Sequence, residues 1–323
     1  MSLGIEMRKD SKPFTVNIAF DSEIFQDGPT EYIKFLKYLP ENTPIFLSNN
    51  YFKILHQIDS STHHEFIPVF STLRNNSKSS EDAGLSQIDA IGNVISQYSC
   101  PNNPKVENFV KSEFNSINKY QRIAGIQLGG LEMPSLRSTY GCFCPFCHSV
   151  AEGQGIKLKD ISHELKQIKA HALDEKLVSE KFPYWTRFRM QSITNFAGKL
   201  MILLRQINPD LFLGLNLNFS ETPELFGQDY FFLALYLDLL NFIIDSSNLQ
   251  EKDILHQIKI IKRISKKFLG SIKVFLQFLL PDSFQLDDIK MILQNTQHDS
   301  FDGVVFRISS LDGLKKWGEM API

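Results

Sequence analysis

Eight short apolar runs with the character of β-strands recur along the chain and alternate with stretches of helical periodicity. The eight runs are "FTVNIAF" (14–20), "TPIFLSN" (43–49), "EFIPVFSTL" (65–73), "IAGIQLGGLEM" (123–133), "LFLGLNLNFS" (211–220), "LLNFIIDSS" (239–247), "SIKVFLQFLLPD" (271–282) and "DGVVFRISS" (302–310). Parallel strands need a long crossover connection between them, and that connection is usually a helix. The pattern therefore predicts an α/β fold, a (β/α)8 TIM barrel that spans residues 1–323 as one domain.

Helical spacing supports this prediction between the strands. Apolar residues fall on one helical stripe over residues 161–172, and again over 193–207 before "NPD" ends the helix. A doubly wound open sheet is the alternative. That fold usually has fewer strands and a glycine-rich phosphate loop after the first one, and the sequence contains neither G-x-G-x-x-G nor a Walker loop.

The phase of the strands predicts a barrel with a polar interior. Side chains alternate between the two faces of a strand, so the polar positions of each run share one face. We expect an inward-facing set made of Asn17, Asp21, Gln127, Asn216, Asn218, Asp245, Gln277 and Arg307, while Leu215, Leu217 and Phe306 face the helices. These polar groups either bond to one another and to ordered water, or they line a ligand pocket at the carboxyl ends of the strands, where barrel enzymes place their sites.

A long segment follows the third strand, at about 74–106, and it carries Cys100. Its start is rich in Ser and Asn, and we expect a loop with a short helix inside it. Loops of this length in a compact domain are usually functional.

The other three cysteines, Cys142, Cys144 and Cys147, form a C-x-C-x-x-C knuckle at 140–148, after the fourth strand. Together with Cys100 they match the four thiolate ligands of tetrahedral zinc. His148 could replace one thiol, and free thiols or another metal are further alternatives. A disulfide within so short a run would be strained, and iron–sulfur clusters use different spacings. A site with four thiolates has no open coordination position, so we expect the zinc to brace loops.

Composition argues against several classes of protein. The formal net charge is −2, and no long run of Lys or Arg occurs, which disfavours a nucleic-acid partner. No segment reaches the roughly 18 uninterrupted apolar residues of a membrane span. The first ten residues are charged, unlike a secretion signal, and four cysteines are too few for a secreted disulfide scaffold. We therefore expect an intracellular, cytoplasmic protein.

The cysteine pattern resembles the zinc cluster of the family 42 glycoside hydrolases, the zinc-bearing β-galactosidases. Fragments over roughly 99–245, among them "SCPNNPKVENF", "GIQLGGLEMP" and "GCFCPFCHSVAEGQGI", are similar to uncharacterised barrel proteins that are usually described as glycosyl hydrolases. The resemblance implies a glycosidase-type barrel with two catalytic carboxylates. One is an acid/base after the fourth strand, and the other is a nucleophile at the seventh.

Carrying this pattern over to the sequence gives three candidate catalytic residues. Glu132 matches the acid/base region, although related sequences tend to have an acidic residue where this chain has Gly129. The seventh strand contains no Glu, since Gln277 occupies its inward phase. The second carboxylate would then be Asp245 or Asp282. The substrate-binding candidates are Asn17, Asp21, Tyr140, Asn216, Asn218, Gln277 and Arg307.

Three functions remain open at this point. The first is a glycoside hydrolase acting on a carbohydrate through paired carboxylates. The second is a degenerate, non-catalytic barrel that binds a sugar-like ligand. The third, zinc-dependent methyl or thiol transfer, would require an open metal position. Tyr184 and Trp185 could stack on a sugar, or they could simply pack at the start of a long helix.

Overall fold

The fold is described from a computed structural model. It covers residues 15–20, 36, 45–48, 65–73, 84–120, 122–134, 140–167, 175–244, 251–268, 272–280, 284–296, 301–308, 313 and 316–317.

Eight parallel strands close into a barrel, and two further strands form a separate antiparallel sheet. The strands are β1 (Thr15–Phe20), β2 (Ile45–Ser48), β3 (Phe66–Ser71), β4 (Ser86–Ile88), β5 (Val94–Ser99), β6 (Gly125–Gly129), β7 (Phe212–Asn218), β8 (Leu239–Ile244), β9 (Lys273–Leu280) and β10 (Gly303–Ile308). Around the barrel the order is β1-β10-β9-β8-β7-β6-β3-β2, and β2 pairs with β1 to close the ring. The predicted (β/α)8 barrel is confirmed, and each of the eight predicted runs contains one barrel strand.

Helices connect the strands and cover the barrel. They are α1 (Pro104–Ile117), α2 (Pro145–Gly153), α3 (Leu158–Gln167), α4 (Glu175–Lys181), α5 (Pro183–Ile207), α6 (Tyr230–Leu233), α7 (Glu251–Ser265) and α8 (Leu286–Thr296). α1 shows why they form where they do. The side chain of Asn103 caps it by accepting from the Lys105 amide, Pro104 fits its first turn, and its apolar residues recur at helical spacing on the buried face.

The two faces of the barrel strands have different environments. Leu215, Leu217 and Phe306 belong to the large core between the strands and the helices, as predicted. A smaller apolar cluster fills part of the interior and includes Ala19, Phe275 and Val305. The alternation of side chains along each strand thus separates an outer apolar core from an interior that takes the remaining positions.

Aspartates that precede two strands fasten each strand to its neighbour. The Oδ2 atom of Asp238, just before β8, accepts from the Leu213 amide of β7 at 2.8 Å. Asp302, just before β10, does the same for the Val274 amide of β9 at 2.9 Å. Both contacts lie where the strands begin, so they tie β7 to β8 and β9 to β10 at the amino end of the barrel.

The segment after β3 differs from the prediction. Over residues 84–100 it forms the β4–β5 hairpin, and the next helix starts only at Pro104. The expected short helix is therefore wrong over this described part. Tertiary contact explains the hairpin: the Phe143 amide donates to the Ile88 carbonyl at 2.7 Å, and the Ala90 amide donates to the Tyr140 carbonyl at 3.0 Å. The hairpin forms against the cysteine knuckle.

Candidate functional site

Glu132 lies three residues beyond β6, at the carboxyl end of the barrel, and only 4% of its surface is exposed. The Nδ2 atom of Asn218, the last residue of β7, lies 3.4 Å from the Glu132 Oε2 atom as its hydrogen-bond donor. Two of the predicted site residues are therefore brought into contact.

Backbone hydrogen bonds hold the loop that carries Glu132 on both sides. The Gln228 side chain donates to the Leu131 carbonyl at 3.0 Å, and the Met133 amide donates to the Phe226 carbonyl at 2.9 Å. The buried loop therefore has its polar backbone satisfied by the segment that follows β7, which restricts the positions that the carboxyl group can take.

Arg189 completes the support of this loop from α5. Its guanidinium is fully buried and donates to the carbonyls of Pro134, at 2.6 Å, and Leu225, at 3.1 Å. The side chain also lies over the Trp185 ring. Burial lowers the pKa of Arg189 to about 9, so the group remains a cation at neutral pH. A buried cation therefore connects the Glu132 loop to the helix that packs against the cysteines.

The tyrosine Tyr230 is coupled electrostatically to Glu132. It is buried, its ring packs edge-on against Phe242 with the centroids 5.2 Å apart, and its hydroxyl lies 3.5 Å from the Ser220 carbonyl oxygen. Burial raises the pKa of Tyr230 above its usual range, and the negative charge of Glu132 raises it further. The hydroxyl therefore stays protonated beside the carboxylate.

Beneath Glu132 and Asn218, a chain of amides crosses four neighbouring strands. Gln127 of β6 donates to the Oδ1 atom of Asn216 on β7 at 2.9 Å, and Asn241 of β8 donates to the same oxygen at 2.8 Å. Asn241 also donates to the Oε1 atom of Gln277 on β9 at 2.7 Å. These amides therefore bond to one another, which is the first alternative drawn from the sequence, while the ligand pocket stays a prediction.

The other predicted site residues are placed only in part. Arg307 is half-buried and shares its strand face with Val305, which lies in the interior cluster. The backbone of Asn17 pairs in register with Val305. Asp21, Asp245 and Asp282 lie outside the described residues. The structure thus supports the inward face for Arg307 and leaves the second carboxylate as a prediction.

The four cysteines form a second, compact centre beside the barrel. Cys100, Cys142, Cys144 and Cys147 are buried, and their Sγ atoms all lie within 4.8 Å of one another. The Cys100 Sγ atom is 3.4 Å from that of Cys144 and 3.5 Å from that of Cys147. These separations are too long for disulfides, which measure about 2.05 Å, and close to the ~3.8 Å edge of a tetrahedron with 2.3 Å metal–sulfur bonds. The donor set fits a tetrahedral metal ion.

Local structure explains how the sulfurs converge. Cys144 precedes α2 as its N-cap and Pro145 starts the helix, so Cys144 and Cys147 both lie at a helix N-terminus. Unpaired amides at this end of a helix favour negatively charged sulfur. Cys100 comes from the end of the hairpin, where its amide donates to the Leu85 carbonyl at 2.9 Å.

Neighbouring groups complete the surroundings of the sulfurs. The Nδ2 atom of Asn102 donates to the Cys147 Sγ atom at 3.3 Å and to the Ser192 hydroxyl at 2.9 Å. Hydrogen bonds to the other three thiols, together with burial, raise the pKa of Cys100. A metal cation would reverse this effect, because a coordinating thiol loses its proton. Among the described residues the group of possible ligands comprises the four cysteines, without His148.

The aromatic candidates pack near the cysteines. Trp185 is fully buried and stacks on Phe143 with the ring centroids 5.6 Å apart, so it serves packing and cannot be a sugar platform. Tyr140 is half-buried and packs against the same apolar cluster. Tyr184 is 74% exposed on the first turn of α5.

Sequence reasoning missed three residues that shape the site: Arg189, Tyr230 and Asn241. The alternation along β8 puts Asn241 on the face opposite Leu240, Phe242 and Ile244, so a signal for it exists in the sequence. Arg189 and Tyr230 lie on helices, where one more buried residue gives no signal in the sequence, and only the fold brings them next to the Glu132 loop.

Comparison with known proteins shows which solved structures share this fold. No protein family and no curated protein matches the sequence. Among solved structures, the fold is similar to the catalytic domain of a β-amylase from Paenibacillus polymyxa, with a TM-score of 0.65 and 13% identity over 97% of this chain and 98% of that one. It is also similar to the PgaB (BpsB) glycoside hydrolase domain from Bordetella bronchiseptica, with a TM-score of 0.63 and 9% identity over 96% and 97% of the two chains.

The fold is similar as well to a β-galactosidase from the Antarctic haloarchaeon Halorubrum lacusprofundi, with a TM-score of 0.65 and 11% identity. The match covers 95% of this chain and 57% of that one. Identities this low establish the fold alone. The described helices include none that is both long and apolar enough to cross a membrane. The chain folds as a (β/α)8 barrel similar to the barrels of these glycoside hydrolase structures.

Proposed function

We propose that this protein is a glycoside hydrolase in which Glu132 acts as the general acid on a carbohydrate substrate. The observation that carries the proposal is a buried carboxyl group at the carboxyl end of a barrel strand, held by Asn218 above a floor of amides. Barrel enzymes place catalytic groups at this end. The similarity of the fold to glycoside hydrolases supports the same assignment.

The chemistry requires a second carboxylate. Asp245 directly follows the last residue of β8, and Asp282 follows the end of β9 by two residues. In glycoside hydrolysis the acid protonates the oxygen of the leaving group, while the other carboxylate either attacks the sugar carbon or activates a water for that attack. We assign one of these two aspartates to the second role.

We further propose that the four cysteines hold a structural zinc ion. Four thiolates fill a tetrahedral coordination sphere and leave no position for a substrate. This argues against zinc-dependent methyl or thiol transfer, which needs an open position. A metal site of reduced thiolates is typical of an intracellular compartment, and we therefore propose a cytoplasmic location. We also propose that residues 1–323 form one barrel domain.

A non-catalytic, sugar-binding barrel is the second candidate, and one observation favours it. The interior position of β9 is taken by the amide of Gln277, which is buried and accepts a hydrogen bond from Asn241. A glycosidase of the family that the sequence resembles would carry a nucleophile on this strand.

Hydrolysis of a panel of 4-nitrophenyl glycosides separates the two candidates. For an enzyme, we expect Glu132→Gln to lower kcat by about 10²–10⁴-fold without loss of folding. A 2,4-dinitrophenyl leaving group, which needs little protonation, should recover part of the lost rate. Glu221→Gln is the matched control, because Glu221 is exposed and only pairs loosely with His256. Sugar binding without turnover of any glycoside would establish the non-catalytic barrel instead.

A further inference from the structure

The side-chain amides in the barrel interior have defined donors and acceptors. Their orientation determines which atom of Asn216 a ligand would contact. Gln127, Asn241 and Gln277 are buried, whereas Asn216 remains partly exposed. The Asn216 Oδ1 atom accepts from both Gln127 and Asn241. Because Oδ1 already accepts two hydrogen bonds, Nδ2 is the polar side-chain atom of Asn216 that is left to contact a ligand.

The opposite orientation of the amides is less favourable for a physical reason. As oriented, the network leaves two buried carbonyl oxygens without a hydrogen bond within the described structure, Gln127 Oε1 and Asn241 Oδ1. Turning every amide over would put NH2 groups at those two buried positions, and each of the four N–H donors would then need an acceptor there. Buried donors without partners are rarer in proteins than under-used carbonyl oxygens, because a carbonyl has two lone pairs to share.

Asn216 also lies in the right place to contact a ligand of Glu132. It precedes Asn218 by two residues on β7, so both residues project from the same face of the strand. Asn218 donates to Glu132 at the strand end, and Asn216 lies about 6–7 Å deeper, from the rise of two residues. A ring held beside Glu132 would reach this depth with one substituent.

We propose that Asn216 is a specificity-determining residue, which presents only N–H donors to the substrate and selects a sugar oxygen that accepts a hydrogen bond at this position. The proposal rests on the carbohydrate function proposed above. Gln127 and Asn241 act through Asn216, because their donated hydrogen bonds fix the orientation of its amide.

Neutron diffraction from crystals of the perdeuterated, ligand-free protein tests the orientation without any assumption about function. We expect the deuterons of Asn216 Nδ2 to point into the cleft, away from Gln127 and Asn241. Deuterons directed from Asn216 to Gln127 Oε1 and Asn241 Oδ1 would overturn the proposal.

The variant Asn216→Asp tests the ligand contact. One carboxylate oxygen can still accept from Gln127 and Asn241, while the other replaces the donor that faces the cleft. The probes are the methyl glycosides of galactose, glucose and mannose, with their monodeoxy and monodeoxyfluoro analogues, and binding is measured by calorimetry. A hydroxyl both donates and accepts, fluorine only accepts, and hydrogen does neither.

At one ring position, we expect the wild-type protein to bind the fluoro analogue within about threefold of the parent sugar and the deoxy analogue at least tenfold more weakly. Asn216→Asp should still bind the parent sugar, but it should bind the fluoro analogue at least tenfold more weakly. The hydroxyl can turn to donate a hydrogen bond to the carboxylate, and fluorine cannot. Equal discrimination by both proteins overturns the specificity role while leaving the hydrolase proposal intact. If no sugar binds to the wild-type protein, the carbohydrate assignment itself fails, and the deuteron positions still decide the orientation of the amide.

Discussion

At the scale of single residues, burial at the mouth of the barrel controls the ionisation of Tyr230. Tyr230 and Glu132 are both buried, and the charge of one opposes ionisation of the other. No sequence pattern connects them, since nearly a hundred residues separate them. Their proximity makes the protonation of Tyr230 a measurable reporter of the folded site.

We expect stability to fall above pH 10 because of Tyr230, and Tyr230→Phe to remove that part of the fall. The pKa of Tyr230 is raised from 10.0 in the folded protein, so above pH 10 the unfolded chain loses this proton while the folded chain keeps it. Ionisation then stabilises the unfolded state by about 1.4 kcal/mol for each pH unit. The free energy of unfolding in urea, measured from pH 9 to pH 11 for both proteins, checks the difference.

Tyr184→Phe is the control, because the ring of Tyr184 is exposed in the folded protein as well as in the unfolded chain. A Tyr230→Phe protein with the same alkaline loss of stability as the wild type would show that the hydroxyl is not shielded as described.

At the scale of elements, glycines in the barrel strands make room for the interior side chains. Gly214 of β7 lies against Gln127 of β6, and a Cβ atom at position 214 would overlap the Gln127 Oε1 atom. Gln127 in turn donates to Asn216, two residues further along β7. The missing side chain of Gly214 therefore permits the amide network.

Gly214→Ala should destabilise the protein by about 1–3 kcal/mol, because Gln127 must move and its hydrogen bond to Asn216 is lost. Thermal and urea denaturation measure the change. Gly129→Ala is a matched control on β6, since a Cβ atom there would meet Val69 and the Phe70 carbonyl only at 3.6 and 3.7 Å, which are ordinary contacts. Equal stability of the two variants would contradict the close approach of Gln127.

At the scale of the whole molecule, the described structure contains two apolar regions of different origin outside the barrel interior. The large core lies between the barrel strands and their helices. A separate cluster surrounds the cysteines and includes Phe143, Leu165 and Trp185. The second region is built from the hairpin, the knuckle and the helices that follow it, so its order depends on what holds the four sulfurs together.

Removal of the proposed zinc ion should therefore loosen the cysteine region and spare the barrel core. After treatment with a zinc chelator, or in Cys144→Ser, we expect amide hydrogen exchange to accelerate by at least tenfold over residues 84–100 and 140–167, while β7, β8 and β9 stay protected. Acidification should have the same effect, because metal binding requires deprotonated thiols. Elemental analysis should give about one zinc per chain before treatment. Uniform loss of protection across the barrel, or protein without metal, would refute a bracing role.

The alternation of residues by itself determined the eight barrel strands, their order along the chain and the face on which Asn216, Gln277 and Leu215 lie. Those properties follow from local periodicity, which a single segment carries without its partners. The C-x-C-x-x-C spacing likewise predicted that Cys142, Cys144 and Cys147 lie close together, because they fall within six residues of chain.

Only the tertiary structure decided the remainder. The β4–β5 hairpin exists where it can pair with the knuckle, and Cys100 meets the other cysteines only through that contact. The bond between Glu132 and Asn218, the carbonyls bound by Arg189 and the shared oxygen of Asn216 join residues that are far apart in the chain. A sequence pattern specifies which groups are polar and which way they point, but the distance between two such groups is set by the closed barrel that brings its strands side by side.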